Sequence, residues 1–202
     1  MHPPGRVRSD LIVLGVGNPL RGDDSVGLVV VRRLNEVFGP SLAAFETYEA
    51  DPVLAERIAA FEELLIVDAL PASTSGEDAP PFRLFDIEPG ESVATPGGFV
   101  SHVFDWGSVL ALARDLFGHC PRARLIGIAA CCFELSETLS PLCALGAEEA
   151  LRFLASHCIR ETAGQSEKAR REAPQLPEAR RRKVASSRMR SQTGSRRSRP
   201  EE

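Results

Sequence analysis

The sequence predicts an α/β fold, a three-layer sandwich in which a mainly parallel, twisted sheet is covered by helices on both faces. Short continuous apolar runs, typical of strands buried on both faces, alternate with segments whose apolar residues recur at helical spacing. The 202 residues, of which 43% are hydrophobic and 26% charged, suffice for one globular domain with a buried core. One domain with a tail is therefore the expected organisation.

The first predicted strand and the first predicted helix are separated by a glycine-rich turn. The strand covers Leu11–Val16 and stops at Gly17. From Ser25 the apolar residues recur every three or four positions as far as Phe38, where a Gly-Pro pair ends the pattern. This order of strand, turn and helix is the first half of a parallel βαβ unit.

The remaining elements are expected to alternate in the same way. Strands are predicted at 42–48, 64–67, 82–87 and 124–130. Helices are predicted at 52–61, 106–117 and 141–157, the first two with Asp51 and Asp105 as N-caps. Stretches rich in proline and glycine at 71–81 and 88–101 are expected to be loops.

Charge divides the chain into two parts. The sequence has 24 Lys and Arg against 28 Asp and Glu; residues 160–202 hold 13 and 6 of these, which leaves 11 basic and 22 acidic residues in 1–159. Apolar periodicity also disappears after Arg160, so that segment cannot bury enough apolar surface to offset its chain entropy. We therefore expect a folded acidic domain at 1–159 and a basic, disordered tail at 160–202.

Several classes of protein are disfavoured by composition. The N-terminus carries charges and prolines before an apolar run of about six residues, far short of a signal-peptide core or a membrane span. A cytoplasmic protein with no membrane partner is expected. The tail has no aromatic residue for base stacking and the body is acidic, so no nucleic-acid partner is expected. Five cysteines without a CxxC pair predict buried, reduced thiols.

The segment GVGNPLRGDD at 15–24 forms the turn before the first helix. Its three glycines would suit a dinucleotide-binding loop, in which backbone N–H groups hold a pyrophosphate. The fingerprint GxGxxG would need glycine at the position of Leu20, and Pro19 lacks an N–H. Asp23 and Asp24 also place negative charge where a phosphate would lie. The turn therefore favours fixed carboxylates over a bound anion.

Three connections bring candidate ligands to one edge of the predicted sheet. One of Asp23 and Asp24 is expected to cap the helix, which leaves the other free to face the crevice at the carboxyl ends of the strands. Asp68 follows the strand at 64–67, and His102 precedes a helix. Each has a simple structural explanation alone, as a cap, a turn aspartate or a surface histidine. Together they form an O,O,N donor set suited to a first-row divalent ion such as Zn²⁺ or Ni²⁺.

Other hydrolytic machinery has no counterpart in the sequence. There is no GxSxG elbow, no HExxH helix and no cysteine in a recognisable Cys-His setting. If the chain is a hydrolase, carboxylates or a metal ion must activate the water.

Four segments together resemble the hydrogenase maturation endopeptidases, which remove a C-terminal extension from the large subunit of nickel-iron hydrogenases. They are GVGNPLRGDDSVG at 15–27, LLIVDAL at 64–70, SHVFDWGSVLALA at 101–113 and FELSETLSP at 133–141. The last two are most similar to the proteases of bidirectional, NAD-linked hydrogenases. Many members carry a DGGTxG segment where this chain has YEADPVLAE at 48–56, which puts the choice of precursor in question.

The resemblance implies a protease domain at 1–159 in which Asp24, Asp68 and His102 contact nickel. The nickel would be supplied by the bound partner, the hydrogenase large-subunit precursor, and no organic cofactor is implied. Cleavage would use a water polarised by the metal or deprotonated by a carboxylate, with Asp23 as the nearest further candidate. Two other functions stay open: a nucleotide-binding module without hydrolytic activity, and an assembly factor that binds the nickel precursor without cutting it.

Overall fold

The computed structural model describes residues 9–71, 80–91 and 105–172, and a sheet of five strands forms its centre. The strands are β1 (Ser9–Val16), β2 (Ala43–Thr47), β3 (Phe61–Pro71), β4 (Phe82–Ile87) and β5 (Arg122–Ala130). Their order across the sheet is β2-β1-β3-β5-β4, with every neighbouring pair parallel except β4 and β5. The predicted mainly parallel sheet is confirmed.

Helices cover both faces of this sheet. They are α1 (Val26–Phe38), α2 (Leu54–Ile58), α3 (Trp106–Phe117) and α4 (Pro141–Glu172). Odd-numbered residues of β1 and β3 pack with α1 and α4, whereas even-numbered residues of the same strands pack with α2 and α3. Representative buried residues of the two cores are Val13, Leu65, Val31 and Leu154 on one face and Leu14, Ile66, Ile58 and Leu110 on the other. The predicted three-layer arrangement is confirmed.

Most predicted elements are present, and the largest differences are in length. β4 and α3 have the predicted bounds, and Asp105 caps α3 by accepting a hydrogen bond from the Ser108 N–H at 2.7 Å. β3 is longer than predicted because its first residues include two glutamates, which apolar patterning leaves out. α2 is shorter, beginning at Leu54, although Asp51 Oδ1 does accept the Val53 N–H at 2.9 Å.

The last helix continues beyond its predicted end. α4 runs to Glu172 rather than His157, so it is longer than predicted. Residues 173–202 lie outside the described residues, and the predicted domain boundary at 159 stays a prediction. The chain divides into two units, Met1–Ala163 and Gly164–Glu202, and the sites described below lie in the first. Within the described residues, no helix combines the length and apolarity that crossing a membrane requires.

Glu63, near the start of β3, joins the sheet to α4. Its side chain is buried, with 4% of the residue exposed. Its two carboxylate oxygens contact Arg124 Nη2 at 2.7 Å and His157 Nε2 at 2.8 Å, and Arg122 Nη2 lies 3.4 Å away. Burial alone would raise the pKa of Glu63, but the hydrogen bonds with His157 and Arg124 outweigh it and lower the pKa. This cluster therefore holds an ionised carboxylate inside the fold.

Candidate active site

The turn between β1 and α1 depends on glycine at two positions. Gly17 has a φ of 138°, and a Cβ there would lie 1.7 Å from the carbonyl oxygen of Asp24. Gly22 has a φ of 52°, and a Cβ there would lie 2.8 Å from the carbonyl oxygen of Cys132. Side chains at these positions would strain the backbone and push apart the segments that the turn brings together. The motif therefore fixes the shape of the turn that carries Asp24.

The N–H groups of this turn already have partners within the protein. The Gly17 N–H donates to the Thr47 carbonyl, the Asn18 N–H to Asp24 Oδ2 and the Leu20 N–H to Asn18 Oδ1. The N–H groups of residues 21–24 donate to carbonyls of Asn18, Ser136, Cys132 and Arg21, in that order. A phosphate-binding loop needs such N–H groups free, so the turn is unsuited to a dinucleotide.

Asp68 lies near the topological switch point of the sheet, and Asp24 lies in the turn that follows β1 there. β2 lies on one side of β1 and β3 on the other, so the switch point is between the carboxyl ends of β1 and β3. The pairing of β1 with β3 ends at Gly15 and Val67, while β3 continues beside β5 through Asp68 to Pro71. Asp68 is thus the first residue of β3 beyond its contact with β1.

The environment of Asp68 disfavours its ionised form. Desolvation by burial is the largest influence and raises its pKa, a hydrogen bond from the Ala69 N–H at 2.8 Å acts in the opposite direction, and the negative charge of Asp24 raises it further. The net effect raises the pKa of Asp68 to about 7. Asp24 and Asp68 are both partly buried. The charge of Asp24 thus acts on Asp68, and the predicted site that combines both with His102 stays a prediction.

Asp23 points away from this pair and anchors the connection between β5 and α4. It is fully buried and accepts four hydrogen bonds. Oδ2 accepts from the Cys131 N–H at 2.8 Å, the Cys132 N–H at 3.0 Å and the Ser140 hydroxyl at 2.7 Å, and Oδ1 accepts from the Ser140 N–H at 2.6 Å. Burial would raise the pKa of Asp23, but these hydrogen bonds outweigh it and lower the pKa. Asp23 is therefore an ionised structural anchor.

The expectation that one of the two aspartates caps the first helix is wrong. Both lie inside a 3₁₀ turn at Gly22–Ser25 that precedes α1, and neither side chain caps the helix. Asp24 instead accepts the Asn18 N–H at 3.2 Å within its own turn. The N–H groups of residues 22–24 bond to backbone carbonyls, two of them in the segment after β5, so they need no aspartate side chain as a cap.

Ser140 and the two cysteines were not among the predicted site residues. Ser140 donates its hydroxyl to Asp23 and accepts the Cys143 N–H at 3.3 Å, so it caps the first turn of α4 while binding the anchor. Its position directly before Pro141 is a helix-start signal that could have identified it. Ser136 also contacts the turn, because its carbonyl accepts a hydrogen bond from the Gly22 N–H at 2.7 Å. Two of the segments that carry the family resemblance are thus in direct contact.

His102 lies outside the described residues, so its predicted place beside Asp24 and Asp68 stays a prediction. Parts of both predicted loops, 72–79 and 92–104, lie outside them too. The prediction of buried thiols is right for Cys143 and Cys158 and wrong for Cys131 and Cys132, which are exposed; no described cysteine forms a disulfide. The exposed pair follows β5 directly, where the chain leaves the sheet.

Solved structures with the same fold are hydrogenase maturation proteases. The [NiFe] hydrogenase maturation protease HycI from Thermococcus kodakarensis KOD1 is 25% identical, with a TM-score of 0.55 over 76% of this chain and 93% of that one. The hydrogenase maturating endopeptidase HybD from E. coli is 24% identical, with a TM-score of 0.58 over the same shares. HybD from T. kodakarensis is 21% identical, with a TM-score of 0.54 over 74% and 99%. The predicted resemblance is confirmed, most firmly at the level of fold.

No family model matches the sequence, and no curated protein matches it significantly. The resemblance therefore depends on the shared fold and on the short segments that the turn and the β5–α4 connection hold together.

Proposed function

We infer that this chain is a hydrogenase maturation endopeptidase, which removes the C-terminal extension from the large-subunit precursor of a nickel-iron hydrogenase. The observation that supports the inference is the sheet that the chain shares with maturation proteases, in which Asp68 lies at the switch point and is influenced by the charge of Asp24. Paired carboxylates in the crevice of an α/β sheet are where a ligand is expected.

The pair is suited to hold the nickel that the precursor carries as part of the substrate. Carboxylate oxygens of Asp24 and Asp68, with the imidazole of His102, would give an O,O,N donor set with positions left for ligands from the precursor. A divalent cation would also stabilise the ionised form of Asp68, which burial and, to a smaller extent, the charge of Asp24 disfavour. Docking of the nickel would place the scissile bond beside the pair.

The water that cleaves the bond would be polarised by nickel or deprotonated by a carboxylate. Asp23 is poorly suited to the second task, because its pKa is lowered and its oxygens accept four hydrogen bonds from the protein. Asp24 and Asp68 are the better candidates, since both are only partly buried.

The test is a cleavage assay on the nickel-loaded large-subunit precursor. Incubation with the protein should shorten the precursor by a C-terminal peptide, detected by mass spectrometry. Asp24→Asn keeps the size of the side chain but removes its charge, and His102→Ala removes the imidazole. Each should reduce processing by about 100-fold or more, the usual contribution of a group that acts in proton transfer or charge stabilisation.

Asp115→Asn provides the matched control, because Asp115 is an exposed carboxylate near the end of α3 that pairs with Arg114. It should process the precursor at the unmodified rate. Unchanged processing by Asp24→Asn and His102→Ala would contradict the assignment of the site. A precursor that binds but keeps its full mass would instead identify the chain as an assembly factor. Dinucleotide binding that disappears on changing Gly17 would identify a nucleotide-binding module.

A further inference from the structure

Cys131 and Cys132 form an exposed thiol pair directly after β5. Their Sγ atoms are 3.6 Å apart. Successive side chains of a strand point to opposite faces, so neighbouring cysteines in a strand would be kept apart. Here the chain has left the strand after Ala130, and Asp23 Oδ2 accepts the N–H groups of both cysteines. A buried carboxylate therefore sets the backbone conformation that brings the two thiols together.

The spacing of the donor atoms fits a single metal ion. Among the described residues, Asp23, Cys131 and Cys132 each offer one ligand atom, and these atoms lie within 4.8 Å of one another. Two thiolates on a tetrahedral Zn²⁺, each about 2.3 Å from the metal, lie about 3.8 Å apart. The observed separation of the sulfurs, 3.6 Å, is close to that value. The two thiols could therefore bind one ion with little movement.

Asp23 has capacity for a further interaction. Its Oδ2 accepts three hydrogen bonds, whereas its Oδ1 accepts one, from the Ser140 N–H. A carboxylate oxygen with a single hydrogen bond keeps a lone pair that can be donated to a cation. Because Asp23 is buried and the cysteines are exposed, an ion at this site would lie between Asp23 and solvent.

We propose that Cys131 and Cys132 chelate a thiophilic metal ion such as Zn²⁺, with the Asp23 carboxylate as the adjoining third donor. Binding forms two metal–sulfur bonds, and each thiol releases its proton to solvent. The donors of this site differ from Asp24, Asp68 and His102. Thiolates select soft ions, whereas two carboxylates and an imidazole favour harder ones. The proposal does not depend on the proteolytic function.

The test measures binding of Cd²⁺, a thiophilic probe, to the full-length chain with its cysteines reduced. The protein should retain one ion after dialysis and show the ultraviolet charge-transfer absorbance of cadmium–thiolate bonds. Cys131→Ser and Cys132→Ser should each weaken binding by at least about tenfold, the loss that follows even from removing a partner outside the coordination shell. The charge-transfer absorbance should fall in both variants.

Two controls separate this site from the rest of the molecule. Cys120→Ser removes a thiol that is partly buried and lies on the other side of β5 in the sequence, so it should leave the binding and the absorbance unchanged. The double variant Asp24→Asn, Asp68→Asn should also keep the absorbance. Equal loss in Cys120→Ser, loss in the double variant, or full absorbance in Cys131→Ser would overturn the proposal, as would the absence of binding by the unmodified chain.

Discussion

β3 carries an acidic side chain near each end, and the fold treats the two in opposite ways. Glu63 bonds to Arg124 and His157, which lower its pKa despite its burial. Burial raises the pKa of Asp68 to about 7, and the negative charge of Asp24 adds to this effect. The amino end of the strand is therefore neutralised within the protein, whereas the ionised form of Asp68 at the carboxyl end is disfavoured until a cation or a proton binds. Unfavourable charge of this kind is a feature of functional sites.

The largest effect expected from this contrast is on processing by Asp68→Asn. Removing the charge should reduce cleavage of the nickel-loaded precursor by about 100-fold or more. The same change should stabilise the fold above neutral pH by about 1–3 kcal/mol, because a raised carboxyl pKa means that ionisation opposes folding. Mass spectrometry of the precursor and urea unfolding at pH 8 measure the two effects. A variant that is both inactive and less stable would mean that Asp68 supports the fold.

The second prediction concerns Glu63, near the amino end of the strand. Glu63→Ala should destabilise the fold by about 2–4 kcal/mol, because it removes a buried partner and leaves Arg124 and His157 without it. The processing rate per folded molecule should stay within about twofold, since additivity is expected between separated sites. Urea unfolding at pH 7 gives the first quantity and the precursor assay the second. A loss of processing larger than the loss of folded protein would show that Glu63 is energetically coupled to the site at the other end of β3.

The third prediction concerns the pH dependence of folding stability, to which the two carboxylates contribute with opposite sign. The contribution of Glu63 is present above its unfolded pKa and is lost as the pH falls through its lower folded pKa. The contribution of protonated Asp68 is present below its unfolded pKa and is lost as the pH rises to about 7. The stability gained by Asp68→Asn should therefore grow by about 1–3 kcal/mol between pH 4 and pH 7 and then level off.

The control for this pH dependence is Glu63→Gln, whose deficit relative to the unmodified chain should shrink in acid. Unfolding curves collected at intervals from about pH 2 to pH 8 provide both series, since the Glu63 contribution is lost only below its unfolded pKa. Parallel pH profiles for Asp68→Asn and the unmodified chain would show that Asp68 has an ordinary pKa in the folded protein.

Local sequence patterns predicted the strands and helices, because these depend on residues that are close together in the sequence. The apolar runs predicted the sheet and its two helical layers, because burial on both faces requires continuous apolar strands. The position of Asp68 after such a run correctly placed it where β3 passes beyond β1. His102 is a prediction that the described residues do not test.

The parts that sequence did not predict depend on contacts between distant segments. The partners of Asp23 are 108 to 117 residues away in the chain, so no local pattern distinguishes an anchor from a helix cap. The exposure of Cys131 and Cys132 has the same origin, because it follows from the conformation that Asp23 imposes after β5. The length of α4 was underestimated because its last turns lack apolar periodicity, the signal on which helix prediction depends.

The smallest expected effect concerns an ion pair at the surface, which is compared with the buried cluster around Glu63. Arg32 on α1 and Glu46 on β2 form two hydrogen bonds, at 2.9 and 2.8 Å, with side chains that are 53% and 38% exposed. Solvent screens such a pair, so Glu46→Ala should cost only about 0.2–1 kcal/mol of unfolding free energy, and less at high salt. Urea unfolding in low and high salt measures this loss. If Glu46→Ala costs as much as Glu63→Ala, burial is not what makes the Glu63 cluster stabilising, and the difference between the two ends of β3 would need another cause.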